Sequence, residues 1–363
     1  MKKIMFYINT IKRDGAERVM TNLASQFADD GYDVIFVTSF RTNGEYLLSE
    51  KIKRYSLEKT EIKQSKVKRN ISRILKLRRL CKKEKPDVLI AFMGEPNFRA
   101  IVATIGLSVR TVVSVRNDPN REYAGLIMKF VGKYLLPMAD GCVFQTEDAK
   151  QWFPVRMQRK STIIFNAVKQ EFYRVERKPV DQLIVTVGRL SKQKNQKLLI
   201  NAVAELKDDY PELKLRIYGE GVLENELNNL IMEKGMDGVI SLEGQALDVP
   251  LKLSEADIFV LTSDYEGMSN ALMEALAVGV PSIATDCPCG GSRMLICNKE
   301  NGILIPVGDK SSLARAIKEL LDNPVKKKLI SENAKYSAEV FSENVIYMQW
   351  KKYLEKVIKN NLG

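Results

Sequence analysis

The sequence predicts an α/β protein of two doubly wound domains, and three observations carry that prediction. Near the N-terminus an apolar run, Ile4–Ile8, leads through the glycine-containing loop Asn9–Gly15 into an amphipathic helical pattern, Ala16–Ala28, and a second apolar run, Val34–Thr38. Strand, glycine loop, helix and strand in that order make a βαβ unit. The same pattern restarts far downstream, with Ile184–Val187, a loop Gly188–Lys194 and a helical stretch Gln196–Leu206. At 363 residues the chain is too long for one ordinary core and suits two domains of roughly 150–200 residues each.

In the first helical stretch Met20, Leu23, Ala24 and Phe27 share one stripe, and Gly31 closes it. Pro86–Phe92 reads as a strand opening into Met93, Gly94 and Glu95. Thr111–Val115 reads as another, opening into Arg116, Asn117, Asp118 and Pro119. Gly141–Phe144 ends at Gln145 and Thr146, whose hydroxyl is placed to cap a helix running to Trp152. Loops at strand C-termini line the crevice of a doubly wound sheet, which makes Glu95, Arg116, Asn117 and Asp118 candidates for a site there. The charged, proline-containing stretch Glu171–Asp181 reads as a linker. Beyond it Leu199, Ala202, Val203 and Leu206 face inward from the restarted helix, and Leu215–Tyr218 is a strand ending in Gly219-Glu220-Gly221. Val239–Leu242, Ser282–Asp286 and Gly302–Val307 are further strands, with Cys287–Arg293 a loop. A last helix, Ser342–Lys359, carries Val345, Met348, Trp350, Tyr353 and Val357 as its apolar positions.

The stretch Ser263–Pro281 organises the rest. Ile258–Leu261 before it is an unbroken apolar, β-favouring run, the pattern of a buried parallel strand. After Gly267 the pattern becomes helical: Leu272, Ala275 and Leu276 form a stripe, Gly279 stands where a helix-ending glycine belongs, and Pro281 forbids continuation. Strand, tight glycine loop and helix point free N–H groups at whatever lies above the sheet, an arrangement suited to phosphate. Asn270 and Glu274, four apart, share a helical face near that end, and Glu266 precedes it in the loop. The plain alternative makes Glu266 a first-turn acid complementing the helix dipole and Glu274 a solvent-exposed helix residue.

Glu266-Gly267, seven residues between the two glutamates, then Glu274-Ala275 and Gly279-x-Pro281 resemble the signature of the family-4 retaining glycosyltransferases. The resemblance runs over nearly the whole chain. Asp14-Gly15-Ala16-Glu17-Arg18 is similar to the family's Gly-Gly-x-Glu-Arg loop, Asn166-Ala167-Val168 to its interdomain Asn-Gly-Val, and Gly188-Arg189-Leu190 with Lys194 to its Gly-Arg-Leu…Lys motif. It implies two facing Rossmann-like domains, the GT-B architecture, with the C-terminal helix crossing back to the first. The implied domains are 1–168 for the acceptor, a linker over 169–181, 182–340 for the nucleotide-sugar, and 341–363 returning to the first domain. It further implies a UDP-sugar donor whose diphosphate is neutralised by Arg189 and Lys194, in contact with the helix start at Gly267, Met268, Ser269 and Asn270. Glu266 would meet a sugar hydroxyl and Glu274 the ribose, while Gly15, Gly188, Gly219 and Gly221 approach the nucleotide. Glu95, Arg116, Asn117 and Asp118 fall on the acceptor side. One departure bears on this: Asp14 replaces the first glycine, and a carboxylate there would repel a diphosphate.

Composition narrows the chemistry. The sequence has no histidine, which removes imidazole acid–base catalysis, His-based triads and His-ligated metals. Five cysteines without regular spacing argue against a disulfide framework and for a reducing cytoplasm, and Cys287 and Cys289 alone do not complete a metal site. No Asp-x-Asp cluster in a metal-site context is evident, so no cofactor or divalent ion is expected. No apolar run approaches the ~20 residues of a membrane span. Lys51–Lys85 holds fifteen Lys and Arg against three Glu, matching the whole-chain excess of +12, and over 66–83 the pattern is a basic amphipathic helix with Ile71, Ile74, Leu75 and Leu80. A solvated face, a nucleic-acid patch and an anionic lipid surface compete for it. No nucleic-acid motif accompanies the charge, and the lipid-linked acceptors of the resembled family favour the membrane. The expected function is a retaining transferase moving a hexose or N-acetylhexosamine from a UDP-sugar to a saccharide acceptor, undecaprenyl-diphosphate-linked, in cell-surface polysaccharide synthesis. It would work in the cytoplasm, peripheral on the inner face of the plasma membrane. A UDP-sugar epimerase of the same architecture and a non-catalytic nucleotide-sugar-binding homologue are the alternatives. The first is disfavoured by the missing histidine, the second by the intact Arg189, Lys194, Glu266 and Glu274 set.

Overall fold

A computed structural model describes residues 2–12, 15–61 and 65–359. The chain divides into two compact units, Met1–Asn166 with Ile346–Gly363, and Ala167–Val345. Each is built on a parallel sheet. In the first unit β1 (Lys3–Ile8), β2 (Asp33–Thr38), β3 (Lys53–Ser56), β4 (Val88–Phe92), β5 (Arg110–Ser114), β6 (Gly141–Phe144) and β7 (Ser161–Ile163) lie in the order β3-β2-β1-β4-β5-β6-β7. In the second, β8 (Leu183–Val187), β9 (Lys214–Tyr218), β10 (Ile240–Leu242), β11 (Ile258–Leu261), β12 (Ser282–Thr285) and β13 (Ile303–Ile305) lie in the order β10-β9-β8-β11-β12-β13. Both are doubly wound, Rossmann-like sheets whose strand order reverses once. The reversals fall between β1 and β4 and between β8 and β11. The central strands are buried on both faces, which is why they read as unbroken apolar runs.

The first unit's helices α1 (Gly15–Asp29), α2 (Lys66–Glu84) and α3 (Gly94–Thr104) cover its sheet. Met20, Leu23, Ala24 and Phe27 of α1 are buried as their spacing predicts. Glu95, expected in a loop, instead sits in the first turn of α3. In α2 the buried face is Arg73, Leu77, Cys81 and Glu84, while Ile71 and Leu75 point outward. Arg73 is therefore no part of a charged outer face. Its Nε and Nη2 donate to Glu58 Oε2 at 3.1 and 2.7 Å, a buried pair fifteen residues apart that the charge count places on the basic outer segment.

Residues 169–181, read as a linker, fall within the second unit. They begin with a short helix, Gln170–Arg174, and Arg177 donates to the carbonyls of Gly279 and Ala256 at 3.0 and 2.6 Å. The last helix, Glu343–Ile358, spans the division near its start and packs on the first unit. Its buried residues are Ile346, Tyr347, Trp350, Tyr353, Leu354 and Val357, whereas Val345 and Met348, expected inside, face out. Tyr347 packs edge-on against Phe27, Trp350 stacks on Phe92, and the Tyr353 hydroxyl donates to the Lys160 carbonyl at 2.6 Å.

Candidate active site

The second sheet's strand order reverses between β8 and β11, and the loops leaving those two strands are bonded together. Asp264 N–H donates to the Gln193 carbonyl at 2.9 Å, Gln193 Nε2 to the Tyr265 carbonyl at 3.0 Å, and Asn195 Nδ2 to Asp264 Oδ1 at 2.8 Å. The Thr262 hydroxyl donates to the Lys194 carbonyl at 2.9 Å. Across this seam Lys194 Nζ meets Glu266 Oε2 at 2.7 Å, and Ser263 Oγ donates to the same oxygen at 2.9 Å. Both side chains of the pair are largely shielded from solvent. Arg189, one loop residue away from Gly188, is exposed and makes no ion pair among the described residues.

Close backbone approach explains the glycines. Gly219 has φ +144°, and a Cβ there would lie 2.0 Å from the Gly188 carbonyl oxygen; one on Gly221 would lie 2.2 Å from that of Leu190. The strand ends of β8 and β9 therefore touch main chain to main chain. On the other side a Cβ on Gly291 would lie 1.7 Å from the Gly267 oxygen, so the short helix Gly291–Leu295 seats directly on the loop before the organising helix. Glu266 is pinned from both directions: its N–H donates to the Pro288 carbonyl at 2.8 Å and its carbonyl accepts from Cys289 at 3.1 Å.

The organising helix runs Asn270–Val278, with Ser269 as its N-cap and Gly279 in the left-handed region at its end. Met268 and Ser269 are buried and Asn270 is partly exposed at the helix start. Glu274 is 5% exposed, which disposes of the reading that makes it a solvent-facing helix residue. Cys287 lies beside Glu266; burial first, then that carboxylate, pushes its thiol up to about 12, so it stays protonated and inert. Gly188, Lys194, Glu266, Gly267, Met268, Ser269, Asn270 and Glu274 thus gather at one switch point, flanked by Gly219 and Gly221. Sequence reasoning missed Ser263, Gln193, Asn195 and Asp264, whose signal was only their adjacency to the motif residues.

In the first unit Gly15 opens α1 at the end of β1, and Asp14 lies outside the described residues. At that sheet's own reversal Arg99 of α3 is fully buried. It donates to Asn70 Oδ1, Tyr7 OH, Asn9 Oδ1 and Ser39 Oγ at 2.8–3.0 Å and pairs with Glu95. Burial alone would raise the Glu95 pKa, but Arg99, Lys66 and Arg69 outweigh it and hold the carboxyl below its usual range. Arg116 is 8% exposed; its Nη1 donates to Asn166 Oδ1 at 2.8 Å and its guanidinium lies 3.9 Å from the Phe92 ring centroid. Burial pushes its pKa down to about 9. Asp118 caps the short helix α4 (Pro119–Glu122), accepting from Asn120 N–H at 3.0 Å, and Asn117 Oδ1 accepts from Asp118 N–H at 2.9 Å. Of the four crevice candidates, Arg116 and Asp118 thus carry structural contacts, and Glu95 is held by Arg99.

Residues 168–337 match the family described as Glycosyl transferases group 1, and residues 13–172 the family described as Glycosyltransferase Family 4. The chain is 31% identical to N-acetylgalactosamine-N,N'-diacetylbacillosaminyl-diphospho-undecaprenol 4-alpha-N-acetylgalactosaminyltransferase of Campylobacter jejuni, over 98% of this chain and 100% of that protein. It is 26% identical to the GalNAc-alpha-(1->4)-GalNAc-alpha-(1->3)-diNAcBac-PP-undecaprenol alpha-1,4-N-acetyl-D-galactosaminyltransferase of the same species, over 98% and 99%. Its fold is that of Anabaena HepE solved with UDP-glucose (TM-score 0.84, 18% identity, covering 98% of this chain and 100% of that one). It is likewise that of a Thermosynechococcus elongatus sucrose-phosphate synthase (TM-score 0.85, 17% identity, 99% and 100%).

Proposed function

Because the chain belongs to the family-4, group 1 glycosyltransferases, we propose that it is a retaining enzyme that moves a hexose or N-acetylhexosamine from a UDP-sugar to a saccharide carried on undecaprenyl diphosphate. The observation that carries this reading is the Lys194–Glu266 pair at the switch point, beside exposed Arg189 and the start of helix Asn270–Val278. A cationic pair of side chains and a helix N-terminus suit a diphosphate that gains charge as it leaves. The two Campylobacter relatives, named for transfer onto undecaprenol-linked saccharides, support the acceptor class.

In this mechanism the diphosphate lies against Gly267–Asn270, where Arg189 and Lys194 stabilise its developing charge in place of a divalent ion. Glu274 takes the ribose hydroxyls and Glu266 a hydroxyl of the transferred sugar. Glu266 is already committed to Lys194 and Ser263, so it orients rather than attacks. No histidine exists to accept the acceptor's proton. The departing phosphate oxygen then serves as the base on the same face, which preserves the anomeric configuration. No helix among the described residues is long and apolar enough to cross a membrane. The enzyme is proposed to reach its acceptor peripherally, on the inner face of the plasma membrane, attracted through Lys51–Lys85.

A screen of UDP-sugars against undecaprenyl-diphosphate-linked saccharides, with NMR of the first product, tests the reading. Retained anomeric configuration is expected. An inverted centre or a trapped glycosyl-Glu266 adduct would falsify it.

A further inference from the structure

The first unit carries an exposed apolar surface that includes none of the residues assigned to the candidate site. Helix α5 (Leu126–Phe130) runs into a π-helical turn, Val131–Leu135, and none of its own five residues is buried. Leu126 is 89% and Ile127 80% exposed, and Phe130, Tyr134 and Met138 are exposed with them. Scattered surface apolar residues are ordinary, but a row of this size on one short segment marks an interaction face. The segment is anchored from beneath. Val131 and Gly132 are buried, a Cβ on Gly132 would strike the Trp152 ring, and Lys133 lies 4.0 Å over that ring's centroid. Arg156 Nη2 donates to the Tyr134 carbonyl at 3.0 Å. A fixed scaffold therefore presents the side chains outward.

The neighbouring layer supplies charge. α3 packs against this segment and α2 against α3. Outward along α2 run Val67, Ile71 and Leu75, four residues apart, among exposed Lys68, Arg79, Lys82 and Lys83. The one acid on α2, Glu84, is buried against Tyr55 and Lys53. Glu61 and Glu95 engage Arg69 and Lys66 at the start of α2. The exposed cations further along, Arg79, Lys82 and Lys83, lie beside an apolar ridge, a pattern that complements an anionic bilayer: the charges meet headgroups and the ridge enters the acyl boundary. Both elements start near the crevice edge of the sheet. Lys66 reaches Glu95 at 3.2 Å, and Glu122, just ahead of α5, accepts from the Gly94 amide at 2.5 Å.

We propose that this layer docks on an anionic phospholipid bilayer, with Leu126, Ile127 and Phe130 entering it as an apolar wedge and the α2 cations drawing it there. The proposal rests on the lipid-linked acceptor above and adds the wedge to the basic attraction. The test is co-sedimentation of the full chain with phosphatidylglycerol–phosphatidylethanolamine vesicles and with phosphatidylcholine vesicles, at low and high salt. Two variants accompany it: Leu126→Ser/Ile127→Ser/Phe130→Ser and Lys68→Glu/Arg79→Glu/Lys82→Glu. The wild type is expected to bind the anionic vesicles with a salt-resistant remainder. The serine variant should lose on the order of tenfold or more in partition and the whole remainder. Its melting temperature and its transfer to a water-soluble saccharide should stay close to wild type, since the substituted side chains are exposed. Equal partition of the serine variant and the wild type overturns the wedge, as does wild-type binding that ignores lipid charge. Self-association lost in the serine variant, with no vesicle binding, assigns the face to protein contact and also overturns it. Vesicle binding without transfer to any lipid-linked saccharide instead defeats the proposed reaction and leaves the docking face standing.

Discussion

At the scale of single residues, Lys194 holds the most chemistry. Its ammonium is shared between Glu266 now and a diphosphate in the proposed reaction, so removing it weakens both substrate orientation and leaving-group stabilisation. Lys194→Ala and Arg189→Ala are each expected to lower kcat by about 100-fold, as losses of transition-state electrostatics do. Glu274→Gln should act mainly through donor KM, because a ribose contact is made equally in ground and transition states. Steady-state kinetics with varied UDP-sugar separates the two outcomes; a kcat defect for Glu274→Gln with unchanged KM sinks the assignment. In the first unit Glu122 offers a pH probe of stability. Burial pushes its carboxyl up to about 7, and its Oε2 has no hydrogen-bond partner among the described residues. An acid whose folded pKa is raised binds more protons folded than unfolded, so its contribution to stability falls as pH rises from its ordinary value near 4.5 to about 7. Glu122→Gln should flatten that fall by roughly 1–2 kcal/mol, discounted for the residue's partial exposure. Denaturant midpoints at pH 5 and pH 8 measure it, and an unchanged pH slope would sink the idea.

At the scale of elements, the glycine seams set how the site is held. Gly291→Ala puts a methyl 1.7 Å from the Gly267 oxygen, a contact that backbone cannot relieve cheaply, so the loop bearing Glu266 must move. The expected outcome is a loss of about 2–3 kcal/mol in stability together with weaker UDP binding. Calorimetry and a UDP titration check it; unchanged binding would mean that the seam does not position the loop. These seams explain what was legible in the sequence. Gly188, Gly219 and Gly267 follow apolar strands, so both their existence and their place at the sheet's crevice edge could be read. The partners across the seam could not: which backbone Gly291 touches depends on sheet order, not on spacing. Arg73 and Glu58 show the opposite failure. The charge count places both in a basic outer segment read as facing anionic lipid, yet they form a buried pair because α2 turns Leu77 and Cys81 inward on the same face. Nothing in the sequence singles out Leu126–Tyr134, for a third reason: an apolar segment does not announce its exposure.

At the scale of the whole molecule, the first unit is completed by the last helix of the chain, so its fold closes over more than three hundred residues of sequence. Trp350 is fully buried against Phe92, Tyr347 packs on Phe27, and the Tyr353 hydroxyl accepts from Cys142 N–H at 2.7 Å, pinning the helix across β6. Gly141 exists to let this happen: a Cβ there would lie 2.6 Å from the Tyr353 oxygen. Six side chains of the helix are buried, and at about 1.5–3 kcal/mol each their loss is on the order of 10 kcal/mol, comparable to the whole stability of a domain. The second unit contains its own core around β8 and β11, drawn among the described residues from Ile184 to Ile330. A chain ending at Val345 is therefore expected to lose amide protection in β1, β4 and β6 while β8 and β11 stay protected and UDP still binds. Hydrogen exchange with and without UDP is the measurement. Protection retained in β4 and β6 would show that the first unit folds without its terminal helix, and loss of protection in β8 would show that the two cores are not separately stable.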